Sequence, residues 1–421
     1  MGGASLVRAR GWLRANVDEI ADDPALRLYG ALLALSHVLS FAQWRLVQPL
    51  ELYVTRSSSP ICWPFFPTCG ALRFLDAGGA VALAWGYGAL ALLGATLFLL
   101  GRRRAGLAWA VLLALTALKA AIVFQDFRLR LNQHYMAGVA SLVFLFLPRK
   151  REVVRVTIVL FYFWAGALKL NGEWLSGSAL YNTDAFWIKG RLLPWACAYV
   201  VVLEMVMSWG LLARPAWIFW GALLQFGLFH VFSWPVVGFF YPLLMFDLLA
   251  IYPLCRWLPG SQAETDPLAL LQGRAAPSTW VLMGGFSLLQ LVPLAIPGDS
   301  ALTGEGRLFA VHMFDARVEC DVRYVVTLAD GEQLTMGGPD DLPVRIACDP
   351  IVHWNVARNY CRRFASDRRL RQLDVYVSSR HSNETQFHPV LALEDFCARD
   401  PDYRTWWHND WILLDDSPAG G

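Results

Sequence analysis

Charge is scarce in this sequence. Only 17% of its 421 residues are Asp, Glu, Lys or Arg, against about a quarter in soluble domains. The charge present nearly cancels, 36 basic against 34 acidic residues leaving a net +2. Nucleic acid is thereby excluded as a partner, because a phosphate-binding surface needs a concentrated basic stripe, and no basic stretch interleaved with aromatics occurs. No CxxC pair, internal repeat or low-complexity segment is present, so the usual zinc spacing and repeat arrays have no support. The opening "MGGASLVRARGWLRANVDEIADD" has no short apolar core before a small-residue cleavage site, so no secretory signal is expected. Leu6 stands where a myristoylation signal needs Ser or Thr.

Apolar side chains are abundant: 56% of the chain is hydrophobic, with 19 Trp and 25 Phe, and mean hydropathy is positive. This predicts a polytopic α-helical membrane protein. Runs meeting the ~20-residue criterion give eight to nine transmembrane helices, near 26–47, 80–100, 105–124, 134–148, 153–170, 195–213, 216–234, 236–254 and 279–297. With nine, the basic clusters at Arg8–Arg14, Arg102–Arg104, Arg149–Arg155, Arg214 and Arg256–Arg274 share one side, which the positive-inside rule makes cytoplasmic. Residues 1–25 are then a cytoplasmic segment, within which 5–20 alternate apolar and basic positions: a surface helix or a solvated tail. Residues 26–298 form the transmembrane domain, with a polar loop at 256–278.

Residues 299–421 have soluble composition and predict an extracytoplasmic α+β or mostly β domain of ordinary size. "ARVECDVRYVVTLADGEQLTM" alternates and breaks at Asp330-Gly331, a hairpin signal. "VHWNVARNYCRRFASDRRLRQL" reads as a helix with a basic face, and "LDVYVSSRHS" as a strand. Six cysteines, Cys62, Cys69, Cys320, Cys348, Cys361 and Cys397, fall on the oxidising side in this topology. Disulfides are the favoured reading, with zinc the rival for the last four. Spacing does not give the connectivity.

The predicted topology also places polar residues by depth. Lys169 ends the fifth run, His134 and Asn132 open the fourth, and His230 lies near the outer end of the seventh, so the three ionisable groups share one level. Glu204 lies near mid-membrane, Lys119 in the outer half of the third run, His37 centrally in the first, and Asp247 below the middle of the eighth. Each also has a structural interpretation: a snorkelling lysine, hydrogen-bonded histidines, Glu204 or Asp247 paired with Lys119 or with backbone groups, and Trp164, Trp174 and Trp234 in an interfacial belt.

The string "AGALKLNGEW" followed by "LSG" resembles the signature of the vitamin K-dependent gamma-glutamyl carboxylases and their bacterial relatives, the HTTM-domain proteins. Ala165, Gly166, Lys169, Leu170, Trp174 and Gly177 carry the likeness. "FGLFHVFSWPVVGFF" is similar around His230, with Ser233 where the family has asparagine, and "LNQHY" is similar around His134. "HMFDARVECDVRYVVTLADGE" resembles the start of the external domain in bacterial members.

The resemblance implies a bacterial inner-membrane enzyme that couples epoxidation of a reduced vitamin K or menaquinone-type hydroquinone by O2 to carboxylation of peptidyl glutamate by CO2, without a metal. Lys169 would be the base acting on the hydroquinone, with His134 and His230 as further catalytic candidates. Asn132, Glu204 and Trp174 are candidates for binding substrate or quinone. Implied partners are the lipid bilayer, a glutamate-containing peptide or protein, and a quinone reductase system. Two other classes remain open: a non-catalytic quinone- or lipid-binding protein or envelope scaffold, and a proton-coupled transporter using Glu204, Asp247 and Lys119. The absence of inverted repeats counts against transport.

Overall fold

The computed structural model describes residues 2–180, 188–258, 276–312, 318–339, 342–364 and 370–414. Most of the polar loop expected at 256–278, and the 365–369 stretch of the expected basic helix, lie outside the described residues. The chain is mostly helical, with a small antiparallel sheet near its C-terminus.

Helix α1 (Gly2–Asp22) precedes α2 (Pro24–Leu46), and Asp23 marks the joint by accepting the backbone N–H groups of Ala25 and Leu26 at 2.9 and 3.3 Å. A carboxylate at N-cap with proline at the first helical position satisfies the open amides of a starting helix. Then come α3 (Ala77–Leu99), α4 (Ala105–Val123), α5 (Asn132–Phe146), α6 (Lys150–Ala167) and the short α7 (Gly172–Ser176). They are followed by α8 (Leu193–Met205), α9 (Ala216–Val237), α10 (Phe240–Leu249), α11 (Ile251–Trp257) and α12 (Pro277–Ala295). The described part of α1 is packed rather than loose: Trp12 stacks on Phe146, and Asn16 accepts a 2.6 Å hydrogen bond from Lys150 Nζ.

Among the described residues, six helical segments are long and apolar enough to cross a membrane: Pro24–Leu46, Ala77–Leu99, Arg102–Val123, Gly190–Leu212, Ala216–Val237 and Pro277–Ala295. The expected eight to nine are not all recovered by this measure, and three of the runs differ from the six for physical reasons. The 134–148 run is the 15-residue α5, too short by the ~20-residue criterion. The 236–254 run divides into α10 and α11, after Gly238 at φ 75° has ended α9. The 153–170 run is α6, which opens on Lys150, Arg151, Glu152 and Arg155 and is buried by protein along 13 of its 18 residues. It packs against α5, α8, α11 and α12.

The C-terminal part holds β1 (Val318–Leu328), β2 (Gln333–Met336), β3 (Leu370–His381) and β4 (His388–Leu393), in the antiparallel order β2-β1-β3-β4. The expected hairpin is present, with Gly331 at φ 89° in the turn. Short α13 (Ser300–Thr303) precedes the sheet, and α14 (Pro350–Phe364) and α15 (Phe396–Arg399) pack against β3. Tyr324, Trp354, Leu373, Val375, Val377 and Leu391 form its core. All six candidate cysteines are disulfide-bonded, as Cys62–Cys69, Cys320–Cys348 and Cys361–Cys397, while Cys197 and Cys255 are buried outside these disulfides. The latter two bonds close loops of 28 and 36 residues, each limiting unfolded-chain freedom by about 3–4 kcal/mol in the entropic account. Thiol chemistry thus goes to crosslinks rather than to zinc.

The sheet region docks on the Cys62–Cys69 loop. Asn355 of α14 accepts from the Cys62 N–H at 3.2 Å and donates to the Cys62 carbonyl at 3.0 Å, and Asn359 donates to the Pro60 carbonyl at 2.6 Å. Trp63, Phe127, Leu308, Ile346 and Val352 close an apolar seam beside these bonds.

Candidate functional site

The Lys169 stretch is a helix end turned into a pocket wall. Leu168 and Lys169 complete the last turn of α6, and Asn171 starts α7 by accepting the Trp174 N–H at 2.8 Å. Gly177, at φ 82°, ends α7 in the left-handed conformation that glycine adopts without strain. Gly166 lets α8 come close: a Cβ there would lie 2.7 Å from Met205 Cγ and 2.9 Å from Glu204 Cβ. That approach brings Glu204 Oε2 to 2.5 Å from Lys169 Nζ.

Lys169 is 3% exposed and Glu204 fully buried. The lysine therefore points inward to a carboxylate rather than snorkelling to a surface. Glu204 pairs with Lys169 instead of Lys119, which corrects one expected structural pairing. The surroundings are also not purely apolar, since Lys169 has an anionic neighbour. The Trp174 ring centroid lies 5.2 Å from Lys169 Nζ, and its indole N–H donates to the Cys197 carbonyl at 2.9 Å. Trp174 is buried at 4% exposure, so it is a wall of this centre and not a belt residue.

Tyr162, two turns before Lys169 on α6, is 2.7 Å from His230 Nε2 through its hydroxyl. Its ring packs against Phe226 at 4.1 Å, and the His230 ring lies 5.4 Å from that of Tyr241. Among the described residues, two buried polar atoms here have no hydrogen-bond partner: Glu204 Oε1 and His230 Nδ1. Beside them, an apolar cavity of about 260 Å³ is lined by Trp174, Cys197, Val200, Phe229, Phe232 and Ser233. Among the described residues no group of His, Cys, Asp or Glu has the arrangement to hold a metal ion.

The other two candidates sit elsewhere. His134 on α5 lies 3.4 Å from Ser40 Oγ and packs between the rings of Trp44 and Phe240. Asn132 donates its side-chain amide to the His312 carbonyl, which ties α5 to the segment leading to the sheet. Phe240 and Tyr241, adjacent at the start of α10, touch His134 and His230 respectively. Two centres thus flank α10, where the sequence grouped one set of residues by depth. Tyr162 was missed, although its position seven residues before Lys169 puts it on the same helical face.

A third feature had no sequence signal. His381, at the end of β3, places Nε2 2.9 Å from Asp299 Oδ2 and Nδ1 3.5 Å from Glu173 Oε1, and its backbone N–H donates to Glu384 at 2.9 Å. Glu173 belongs to α7, so the imidazole joins the sheet to the Lys169 loop. Burial opposes its charge, but the Asp299 and Glu173 carboxylates outweigh that and push the imidazole up to about 10. Its partner Asp299 ends below its usual range: burial acts upward and is overcome by the hydrogen bond from His381.

A histidine raised in this way stabilises the fold fully below its unfolded pKa near 6.5, and the contribution is lost as pH rises through about 10. Asp299 acts at the other edge, its contribution being lost as pH falls through its lowered pKa. In His381→Gln the alkaline decline should flatten. Thermal unfolding from pH 6 to 10 should show wild type losing about 2–4 kcal/mol relative to the variant, and parallel curves would refute the tie.

No family model, curated protein or solved structure matches this chain.

Proposed function

We propose that this membrane protein is a quinone-dependent carboxylase-like enzyme of the kind its Lys169 motif resembles. The observation that carries this reading is the buried Lys169–Glu204 pair beside an apolar cavity, with Glu204 Oε1 and His230 Nδ1 unpartnered among the described residues. A flat aromatic diol with an apolar tail suits that combination: hydroxyls toward the polar atoms, tail along Trp174, Phe229 and Phe232. When bound, a reduced vitamin K or menaquinone-type hydroquinone would supply, with O2, the base strong enough to remove a γ-proton from glutamate ahead of CO2 capture.

The chain's own residues then have separable tasks. Glu204 Oε2 first takes a proton from the Lys169 ammonium, which leaves the dyad neutral in the dry interior, and the free Lys169 amine then accepts and holds a hydroxyl proton of the diol. Tyr162 fixes His230 through Nε2, which leaves Nδ1 for an oxygen of the bound diol. Trp174 and the apolar lining exclude water that would quench a carbanion. His134 and Asn132 support this centre only indirectly, through α10 and the His312 segment.

The nine-span count, the cytoplasmic N-terminus and the extracytoplasmic sheet domain form part of the same proposal. They are supported by the one-sided loop charges and by three disulfides in loops of the opposite side. A glutamate-containing peptide would approach from that side, and a quinone reductase would regenerate the diol.

The test uses purified protein with reduced menaquinone, O2, labelled bicarbonate and a glutamate-containing peptide. Wild type should fix label, and Lys169→Ala should reduce fixation by at least about 10³-fold, the scale of removing a positioned base. Quinone binding without fixation would replace this reading with the non-catalytic binding protein, and proton-driven uptake in proteoliposomes would replace it with the transporter.

A further inference from the structure

Trp406 and Trp407 stand side by side after the sheet and are 48% and 73% exposed. Single exposed apolar residues are ordinary on a protein surface, so adjacency and position decide what such a pair means. Hydrogen bonds fix the position. Gln290 of α12 donates through Nε2 to the Phe309 carbonyl at 3.2 Å and accepts the Val311 N–H on Oε1 at 2.7 Å. It lies five residues before Ala295, where α12 ends. Phe309 is therefore held about 7 Å inside the end of that helix, at 1.5 Å per residue, and α12 is one of the six segments able to cross a membrane.

Trp406 stacks on Phe309, with ring centroids 5.6 Å apart and planes 19° from parallel. Phe309 stacks in turn on Phe65 at 5.7 Å, and Phe65 meets Phe124 at 5.9 Å. Phe124 caps the C-terminal end of α4, a second candidate span. The ring row thus joins the ends of two spans to the tryptophan pair. Phe65 and Phe124 are themselves exposed, as are Leu291 and Leu294 near the same end of α12, so the apolar surface of the helices runs on into the loop.

The loop is also rigid at its base. Glu305 is buried, and its Oε1 accepts the Asn409 backbone N–H at 2.8 Å and the Asn409 side-chain amide at 2.7 Å. Its Oε2 lies 2.8 Å from His408 Nδ1, and Asn409 Oδ1 accepts the Arg404 N–H at 2.6 Å. The next residue, Gly306 at φ 73°, lies so close to α12 that a Cβ there would be 2.7 Å from Pro293 Cα. Ordering of the loop is thus complete on folding, and contact made through the two indoles costs little further freedom. An indole has an apolar body and one N–H donor, which suits the boundary between headgroups and acyl chains. The exposed Arg404–Asp410 pair at 3.3 Å supplies charge beside it.

We propose that the loop 404–410 is an interfacial membrane anchor: Trp406 and Trp407 enter the headgroup boundary of the bilayer that α4 and α12 cross, and hold the sheet region against it. The proposal rests on those two helices and stands independently of the carboxylase reading and of the total span count.

The test places a nitroxide on Trp407→Cys, and separately on Asp330→Cys at the tip of the β1–β2 hairpin, in the full chain reconstituted at one copy per lipid nanodisc. At 407, relaxation by O2 should outweigh relaxation by a water-soluble nickel chelate, with a ratio several-fold above that at 330. Equal ratios at the two positions would overturn the proposal. Exclusion of both reagents at 407 would also overturn it, since protein and not lipid would then cover the pair. Should the new thiol disturb the disulfides, acyl-brominated lipid serves instead. The fluorescence that wild type has and folded Trp407→Phe lacks should be quenched by it, and persistence of that emission would refute the anchor.

Discussion

Glu204→Leu will be among the most destabilising single substitutions in this protein, at about 3–5 kcal/mol. The carboxylate it removes is fully buried and lies 2.5 Å from Lys169 Nζ. Without it, the lysine keeps its desolvation cost and loses the attraction that offset it. Lys169→Met in the Glu204→Leu background should recover most of the loss, because a buried ion pair replaced on both sides by apolar groups is often neutral. The measurement is a double-mutant cycle on unfolding in detergent micelles, with an expected coupling of about 2 kcal/mol or more. Additive single-mutant losses would show that the contact contributes nothing. Under the carboxylase reading the repaired double variant should be stable yet inert, which separates the scaffold role of the pair from its chemistry.

Asp126→Ala should cost a comparable amount at a different place. Asp126 is fully buried and holds two guanidiniums: Arg73 Nη2 at 2.5 Å on Oδ2, and Arg128 Nε and Nη2, each at 2.9 Å. Removing it leaves both cations with one fewer partner in a buried position, again about 3–5 kcal/mol. The damage should spread along a definite route, because Asp126 Oδ2 also accepts the Ile61 N–H at 3.4 Å and the Phe127 N–H bonds the Ile61 carbonyl at 2.7 Å. Ile61 precedes the disulfide loop on which Asn355 docks. Hydrogen exchange should therefore quicken in 58–73 and in α14, with α8 and α9 unchanged. Faster exchange spread evenly over the protein would refute that route.

How much of this was legible depended on what each feature is built from. Six long helices follow from uninterrupted apolar runs, and the hairpin follows from Asp330-Gly331 between alternating segments, because both signals are local. The disulfide set was legible as a group, whereas its pairing needed the fold that brings Cys361 of α14 to Cys397 of α15. The runs beyond the six are less plain because they are covered by protein: α6 tolerates four charged residues in its first six because neighbours and α1 receive them. The Lys169–Glu204 contact joins positions 35 apart in sequence through a crossing that Gly166 permits, and no periodicity reports such a meeting. Likewise the link of His381 to Glu173 exists only once the sheet is docked.

The burial of α6 also bears on how the chain is made. A segment that begins Lys-Arg-Glu-Val-Val-Arg and presents most of its surface to protein has little affinity for lipid by itself. The long apolar α2, α3 and α4 precede it, while α8 and α12, which cover other sides, are synthesised after it. During translation α6 therefore waits at the membrane with an incomplete enclosure and Lys169 still without Glu204. Its final seating is a late event in biogenesis, so truncation before α8 should yield a chain that quality-control proteases recognise rather than a smaller stable core.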